Sequence, residues 1–151
     1  MSGNGHFRYK HPGLRHCSGP GAKAKRSRDL IVRGMQSGLG ILLLQTLAEF
    51  SNVAIGKAGI PIDDIRATID ASACGATHAA EEGDLTAALD VVKAHRLGFW
   101  DAMLWTGAQR VGVRQLVTED LQDGFVLQDV RFVNPFERAN DRLIDKILPP
   151  S

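Results

Sequence analysis

Apolar residues recur along the chain with two spacings, one of which is typical of helices and the other of buried strands. Short aliphatic runs predict strands at 39–44, 75–79, 114–118 and 130–133. Longer stretches with apolar residues at every third or fourth position predict helices at 22–36, 45–58, from 61 onward, 81–94, 99–111 and 136–147. Strands and helices that alternate in this way form βαβ units with right-handed crossovers. The predicted fold class is therefore α/β with a mainly parallel sheet.

The same pattern predicts which side chains are buried. The strand at 39–44 is aliphatic, which is typical of a strand that a parallel sheet covers on both faces. The other positions that are expected to face the core are Leu47, Phe50, Val53, Ala54, Ile65, Ile69, Leu85, Leu89, Val92, Leu116 and Val117.

Composition favours a single soluble domain. The chain has 151 residues, of which 44% are apolar and 23% charged, and this is enough for one core. Its longest aliphatic run, 41–44, is too short to span a bilayer, and no secretory signal is apparent. The two cysteines, Cys17 and Cys74, lack metal-ligand spacing, so a reducing, cytoplasmic location without a membrane is expected.

Charge is distributed unevenly along the chain. Residues 1–28 hold seven of the 18 Lys and Arg residues and no acid. Residues 29–151 hold the other 11 together with all 17 acids, which gives this part a charge of −6. A basic arm on an acidic body is one interpretation, and such an arm would contact nucleic acid. The alternative is an N-terminal segment without a function of its own.

Three acids are predicted near the carboxyl ends of the strands, where open parallel sheets bind ligands. Glu49 follows the strand at 39–44, Asp120 follows the strand at 114–118, and Asp101 lies at a helix start. Carboxylates in one cleft repel one another unless a cation neutralises them, and oxygen ligands suit Mg²⁺ or Mn²⁺. Such ions can activate water for attack on a phosphodiester. On spacing alone, an aspartate at a helix start is more often a cap, an acid after a strand is more often a turn former, and Glu49 is more often a solvated helix residue than a metal ligand.

Four segments, in order along the chain, resemble the motifs of one family. They are Leu-Gln-Thr-Leu-Ala-Glu-Phe-Ser-Asn-Val at 44–53, Phe-Trp-Asp-Ala at 99–102, Thr-Glu-Asp-Leu-Gln-Asp-Gly at 118–124 and Val-Arg-Phe-Val-Asn-Pro-Phe at 130–136. The chain resembles PIN-domain proteins, and the likeness is greatest to the VapC-type ribonuclease toxins of bacterial toxin–antitoxin pairs. The resemblance spans 24–136 and predicts a PIN-like domain at 22–136, between an irregular segment at 1–21 and a C-terminal helix and tail at 137–151.

PIN domains are three-layer α/β/α sandwiches in which an acidic cluster holds Mg²⁺ or Mn²⁺ and hydrolyses RNA. The resemblance therefore implies a metal-dependent endoribonuclease in which Glu49, Asp101 and Asp120 are both the metal ligands and the catalytic residues. It also implies a homodimer and a cognate antitoxin-like protein as partner, besides the RNA substrate.

Three polar residues flank the third acid. Thr118 occupies a position where the resemblance implies that it orients the attacking water. Asp123 is either an auxiliary acid or a turn residue before a glycine, and the two interpretations are equally supported. Alternation along a strand predicts that Glu119 points away from the acidic site.

Two other functions are compatible with the sequence. A catalytically inactive PIN-like domain would bind RNA or an antitoxin without cleaving RNA. An unrelated phosphatase-like α/β domain would need a glycine-rich turn that cradles phosphate, and Gly38 with Gly40 is too short a motif for that turn.

The first motif of the family is missing. It is a central strand of the type Asp-Thr-Asn-Ile-Leu-Val-Tyr-Ala, and its aspartate is a principal metal ligand. This chain has no aspartate before Asp29, and its residues 6–15 are cationic and include Pro12, which cannot donate to a sheet. Loss of this ligand is expected to impair catalysis, and loss of the strand predicts a poorly folded, aggregation-prone product.

The genetic code offers an explanation. If the codons of residues 8–15 are read one nucleotide later, eight successive triplets can encode Asp-Thr-Asn-Ile-Leu-Val-Tyr-Ala. The family-like pattern returns in the present frame at 21–25. We therefore hypothesise that the segment up to about Gly19 is a frameshifted translation that a second shift restores.

Overall fold

A computed structural model describes residues 20–56, 59–72 and 76–150. The predictions for residues 1–19, including the shifted frame, lie outside the described residues, as do those for the two cysteines. The helices are α1 (Pro20–Ser37), α2 (Leu44–Gly56), α3 (Ile62–Ser72), α4 (Glu82–His95), α5 (Phe99–Arg110) and α6 (Asp141–Ile147), and a 3₁₀ turn over Arg138–Asn140 precedes α6. The strands are β1 (Ile41–Leu43), β2 (Ala76–His78), β3 (Gln115–Val117), β4 (Val126–Leu127) and β5 (Val130–Val133). This mixture of helices and parallel strands confirms the α/β class.

The described strands form two sheets and not the single sheet that the sequence predicts. β1 and β2 pair in parallel, and β5 lies between its parallel neighbour β3 and its antiparallel neighbour β4. β4 was not predicted, because it has only two residues and because its turn to β5 contains no glycine. Gln128 in that turn adopts a left-handed φ of 50°. No helix in the described part of the chain is long and apolar enough to cross a membrane.

The larger core surrounds α5, which packs against α4, β1 and β5. Trp105 and Phe132 are its largest fully buried side chains. The indole Nε1–H of Trp105 donates a hydrogen bond of 3.4 Å to the carbonyl oxygen of Leu127 in β4. Asp101 lies about one helical turn before Trp105, so this core fixes the helix that presents the Asp101 carboxylate.

A smaller core joins the two ends of the described chain. Leu30 of α1, Val133 of β5 and Ile144 of α6 are buried together. Two arginines of α1 reinforce the contact, because Arg26 pairs with Asp141 at 2.8 Å and Arg33 with Asp145 at 2.7 Å. α1 is therefore bound to the last helix through these two arginines.

The strand at 39–44 differs from its prediction in length and burial. Leu43 is buried, but Leu39, Ile41 and Leu44 are exposed, so the prediction of a strand covered on both faces is wrong. Leu44 already begins α2, and β1 has one strand neighbour among the described residues. Apolar side chains therefore remain uncovered on this side of β1.

α4 buries a different face from the predicted one. Leu85 and Leu89 are exposed, whereas Ala88 and the carboxylate of Asp84 are buried against α5. Arg110 of α5 pairs with Asp84 at 3.0 Å, and the small Ala88 side chain allows close helix packing. A partly buried ion pair, which apolar periodicity does not detect, thus sets the orientation of this helix.

The remaining burial predictions are confirmed in part. Leu47, Ala54, Ile65 and Leu116 are buried as predicted, Ile69 and Val92 are half-buried, and Phe50, Val53 and Val117 are exposed.

Candidate acidic site

Three separate elements bring the predicted acids into one electrostatic environment. Glu49 lies on α2, Asp101 in the first turn of α5, and Asp120 three residues after β3. Burial raises the pKa of the Asp101 carboxyl, and the negative charges of Asp120 and Glu49 raise it further. Burial also raises the pKa of Asp120, as do the charges of Glu119 and Glu49. The charge of Glu49 therefore disfavours ionisation of both Asp101 and Asp120, and the charge of Asp120 disfavours ionisation of Asp101.

These carboxylates do not form a finished metal centre by themselves. Among residues 20–56, 59–72 and 76–150, no group of three or more His, Cys, Asp or Glu side chains is placed to hold a metal ion. The donor chemistry fits a hard cation, because carboxylate oxygens are the ligands that Mg²⁺ and Mn²⁺ prefer. The described residues thus provide suitable ligands that do not yet converge on one point.

Asp101 is positioned by the start of α5. Gly98 is the residue before the helix, and its carbonyl accepts a hydrogen bond of 2.9 Å from the N–H of Ala102. A Cβ added to Gly98 would lie 2.9 Å from Oδ2 of Asp101, so the glycine leaves room for that carboxylate. Among the described residues no hydrogen bond engages the Asp101 side chain, which disfavours the alternative of a helix cap.

Gln45 connects Glu49 with the start of α5 and is absent from the sequence prediction. Its Nε2 donates hydrogen bonds of 2.9 Å to Oε1 of Glu49 and of 2.9 Å to the carbonyl of Trp100, the residue before Asp101. The spacing of Gln45 and Glu49, four residues apart on one helix, is a signal that was available in the sequence. Its second partner lies 55 residues away and could be found only from the structure.

Thr118 shapes the turn that carries Asp120. Its hydroxyl accepts a hydrogen bond of 3.2 Å from the N–H of Asp120, and its own N–H donates to the carbonyl of Val133 at 3.0 Å. Hydroxyl-capped turns of this kind fix the backbone two residues further on. The structure thus shows Thr118 holding the Asp120 backbone.

Asp123 organises a neighbouring loop. Its Oδ1 accepts hydrogen bonds of 2.8 Å from the N–H of Asn134 and of 2.7 Å from Nδ2 of Asn140, whose side chain is buried. Asp123 is not among the charges that raise the pKa of Asp101 or Asp120. Of the two interpretations of Asp123, these contacts favour the turn residue.

Lys23 of α1 supplies a positive charge to the acidic site, and the sequence did not indicate this role. Its ammonium group pairs with Glu119 and lies 4.8 Å from the ring centroid of Phe136. The charge of Lys23 lowers the pKa of Asp120 and so offsets part of the repulsion there. Glu119 lines the same cavity as Asp120, because β3 ends at Val117 and strand alternation no longer applies at 119. The prediction that Glu119 points away is wrong.

A cavity of about 800 Å³ extends from Glu49 and Asp120 along β1 and β3, and Asp101 is not among the residues that line it. Thr46, Glu49, Thr118 and Asp120 line its polar end. Apolar side chains line the rest, among them Leu30, Ile31, Met35, Leu43 and Leu104. Two of the three acids, Glu49 and Asp120, therefore lie in a larger and mostly apolar cleft.

No family model matches the chain, and a search of curated proteins found no match either. The residues of the site therefore carry the functional conclusion.

Proposed function

We propose that the chain is a metal-dependent endoribonuclease of the PIN type, related to the VapC toxins, which hydrolyses RNA phosphodiesters. The proposal includes the three-layer α/β/α arrangement, a cytoplasmic location, an antitoxin-like partner and a homodimer. One observation carries it: Glu49, Asp101 and Asp120 come from three elements, and burial together with neighbouring acids raises the pKa of Asp101 and of Asp120, with the charge of Glu49 acting on both. Repulsion of this kind is a cost to folding, and a bound cation would remove it.

Each acid would contribute to holding Mg²⁺ or Mn²⁺. Such an ion activates water and stabilises the charge that develops on the phosphate. The Asp101 carboxylate lies beside a helix N-terminus without a hydrogen bond to another described residue, and Gly98 has no Cβ to displace it. Gln45 orients Glu49 towards α5, and Thr118 fixes the backbone of Asp120. Lys23 places a cation near Asp120, where it would also attract the RNA backbone.

A cleavage assay tests the proposal. Labelled RNA is incubated with the purified chain in Mg²⁺ or Mn²⁺, with EDTA as a metal-free control. We expect cleavage with metal, and its loss in Asp101→Asn and in Asp120→Asn. The matched control is Asp90→Asn, since Asp90 is an exposed acid on α4 outside the cavity. Cleavage that persists in both site variants would come from a contaminating nuclease and would refute the proposal.

A binding module without catalysis is the second candidate. The observation that favours it is the lack of a converged set of three ligands among the described residues. Such a module would bind RNA or an antitoxin-like protein but leave RNA intact. Binding of RNA in a mobility-shift assay, together with no cleavage in either metal, would establish this alternative.

A further inference from the structure

An exposed aromatic side chain lies directly beside the acids. Trp100 is 65% exposed, although it is part of α5, whose other tryptophan, Trp105, is 2% exposed. The residue after Trp100 is Asp101, so the indole ring and the carboxylate belong to the first turn of one helix. Tryptophan is enriched at binding surfaces because its ring offers a large contact area. The core around α5 does not include Trp100, so its ring is available to a ligand.

Two contacts hold Trp100 in place. The ring of Phe99 packs against it in a T shape, with 5.2 Å between the ring centroids and 68° between the planes. Gln45 Nε2 donates a hydrogen bond of 2.9 Å to the Trp100 carbonyl and another to Glu49. The backbone of Trp100 is therefore held close to α2 and to Glu49. A single T-shaped neighbour cannot cover both faces of the indole ring, so at least one face stays open for stacking.

A basic segment precedes Trp100. Lys93 lies in the last turn of α4, Arg96 is the residue that ends this helix, and both are exposed. Within the described part of the chain, neither side chain forms an ion pair or a hydrogen bond, in contrast to Arg33 and Arg110. Arg96 and Trp100 are four residues apart, so their Cα atoms are separated by at most about 14 Å. Two unpaired cations and an exposed ring thus share the short surface segment 93–100.

Arg96 adopts a conformation that an arginine side chain does not favour. Its φ is 57° and its ψ is 27°, in the left-handed region. Glycine usually takes this conformation at the end of a helix, because a Cβ is strained there. The arginine therefore costs stability that a glycine would not cost. Costs of this kind are commonly retained at functional sites, which indicates that the guanidinium of Arg96 serves a ligand.

Single-stranded RNA has the two features that this surface complements. Its unpaired bases stack on aromatic rings, and every base can do so because every base has a π-face. Its phosphates pair with Lys and Arg side chains, which position the strand without reading its sequence. In a duplex the bases are already stacked on one another and cannot reach the ring. A protein partner would also use a tryptophan, but two unpaired cations beside it favour a polyanion.

We propose that residues 93–100 form an entry surface for single-stranded RNA, in which Trp100 stacks on an unpaired base while Lys93 and Arg96 bind neighbouring phosphates. The stacked base holds the strand beside Asp101, so this surface selects unpaired RNA over duplex RNA. The identity of the ligand rests on the proposed function, because RNA is the ligand in both. The acids alone do not specify which residues hold the strand or which form of RNA is bound.

Tryptophan fluorescence tests the stacking, because the two tryptophans of the chain differ strongly in exposure. A short RNA is titrated into the full chain at low ionic strength in EDTA, where phosphate contacts are strong and metal-dependent cleavage is absent. Single-stranded RNA is expected to quench the fluorescence saturably. An abasic oligonucleotide of equal charge and a duplex of the same sequence are expected to quench little. In Trp100→Phe only Trp105 remains, and no quenching is expected. Equal quenching by RNA with and without bases would refute the stacking.

Two variants separate the base contact from the phosphate contacts, with affinity measured by the anisotropy of labelled RNA. Trp100→Leu keeps an apolar side chain without a π-face and is expected to weaken binding about fivefold or more at an unchanged salt dependence. Lys93→Ala is expected to weaken binding and to reduce the slope of log K against log salt by about 0.7, because one phosphate contact is lost.

Each variant has a matched control. Phe125→Leu removes an aromatic ring that is 39% exposed, and Arg66→Ala removes an exposed cation from α3. Both controls are expected to bind RNA as the unchanged chain does. Losses of the same size in Trp100→Leu and Phe125→Leu, or in Lys93→Ala and Arg66→Ala, would overturn the proposal.

Arg96→Gly separates RNA binding from folding. Glycine adopts a φ of 57° without strain, so the melting temperature is expected to stay the same or to rise. RNA binding is expected to weaken, and the salt slope is expected to fall by about 0.7, because a cation is removed. A lower melting temperature together with unchanged RNA binding would assign Arg96 to the helix end and refute its contact with phosphate.

Binding and cleavage can fail separately. In Mg²⁺, Trp100→Leu is expected to raise the KM for unpaired RNA and to change kcat little. Mg²⁺-dependent cleavage without quenching, and with an unchanged KM in this variant, would preserve the nuclease and refute the entry surface. Quenching by unpaired RNA without cleavage would preserve the entry surface and remove the nuclease. A Trp100 signal that responds to protein concentration but not to RNA would assign the ring to a contact between copies of the chain and overturn the proposal.

Discussion

Replacing Trp105 by alanine would remove the largest fully buried side chain of the core around α5. Trp105 is 2% exposed, and its indole also donates to the carbonyl of Leu127. A buried Trp side chain removes about 150–250 Å² from water. At about 25 cal/mol per Å² this corresponds to about 4–6 kcal/mol, of which the Ala methyl retains a part. We therefore expect Trp105→Ala to lower the free energy of unfolding by about 3–5 kcal/mol.

Trp100 on the same helix provides the matched control. It is 65% exposed, so about a third of the same area is buried, and Trp100→Ala is expected to cost about 1 kcal/mol. Urea unfolding followed by far-UV circular dichroism measures both values. Low protein concentration limits association through the open sheet edges. If the two variants lose the same stability, Trp105 is not the anchor of the helix that carries Asp101.

Four further predictions concern the site and the N-terminus. Gly98→Ala is expected to reduce RNA cleavage while changing the melting temperature little, because the new Cβ would lie 2.9 Å from Oδ2 of Asp101 and displace that carboxylate. Retained activity would contradict this role for the glycine. Asp123→Ala is expected to cost about 1–3 kcal/mol in urea unfolding, since Asn134 N–H and the buried Asn140 amide lose their acceptor, whereas the same change at the exposed Asp129 should cost almost nothing. Burial and neighbouring charges raise the folded-state pKa of Asp101 above its unfolded-state value. The ionised carboxylate therefore destabilises the fold at pH values above the folded-state pKa, and this destabilisation is lost as the pH falls through that pKa towards the unfolded-state value. Asp101→Asn should therefore be more stable than the unchanged chain at neutral pH in unfolding titrations, and this gain should vanish in acid. Resequencing the gene up to the codon of Pro20 should show codons that encode Asp-Thr-Asn-Ile-Leu-Val-Tyr-Ala in the shifted frame; codons that exclude this motif would refute the frameshift.

Periodicity predicted the order of the elements but not their detailed packing. Helices such as Glu82–His95 appear within one residue of the predicted bounds, because glycines and polar runs mark their ends. The buried face of α4 was not predictable in this way. It is set by the ion pair between Asp84 and Arg110, which lie 26 residues apart. The hairpin turn at Gln128 lacks the usual glycine, so β4 was also missed.

The site was predictable where each residue follows a strand or begins a helix. Glu49, Asp101 and Asp120 were found from their positions at the edge of the sheet and from the motifs around them. The contact of Lys23 with Glu119 was not predictable, because 96 residues separate the two side chains. Spacing in the sequence identifies neighbouring side chains on one helix or strand, whereas charged side chains from distant elements come together only in the folded chain.

The docking of α1 against α6 has a consequence for folding on the ribosome. Arg26 and Arg33 of α1 bind partners that lie 115 and 112 residues further along the chain. At about 5–20 residues per second, synthesis of that distance takes on the order of 6–23 s. The first described helix therefore emerges early and waits for the last one before it can dock. During this interval its apolar face and the neighbouring edge of β1 are exposed, and surfaces of this kind make partly synthesised chains prone to association.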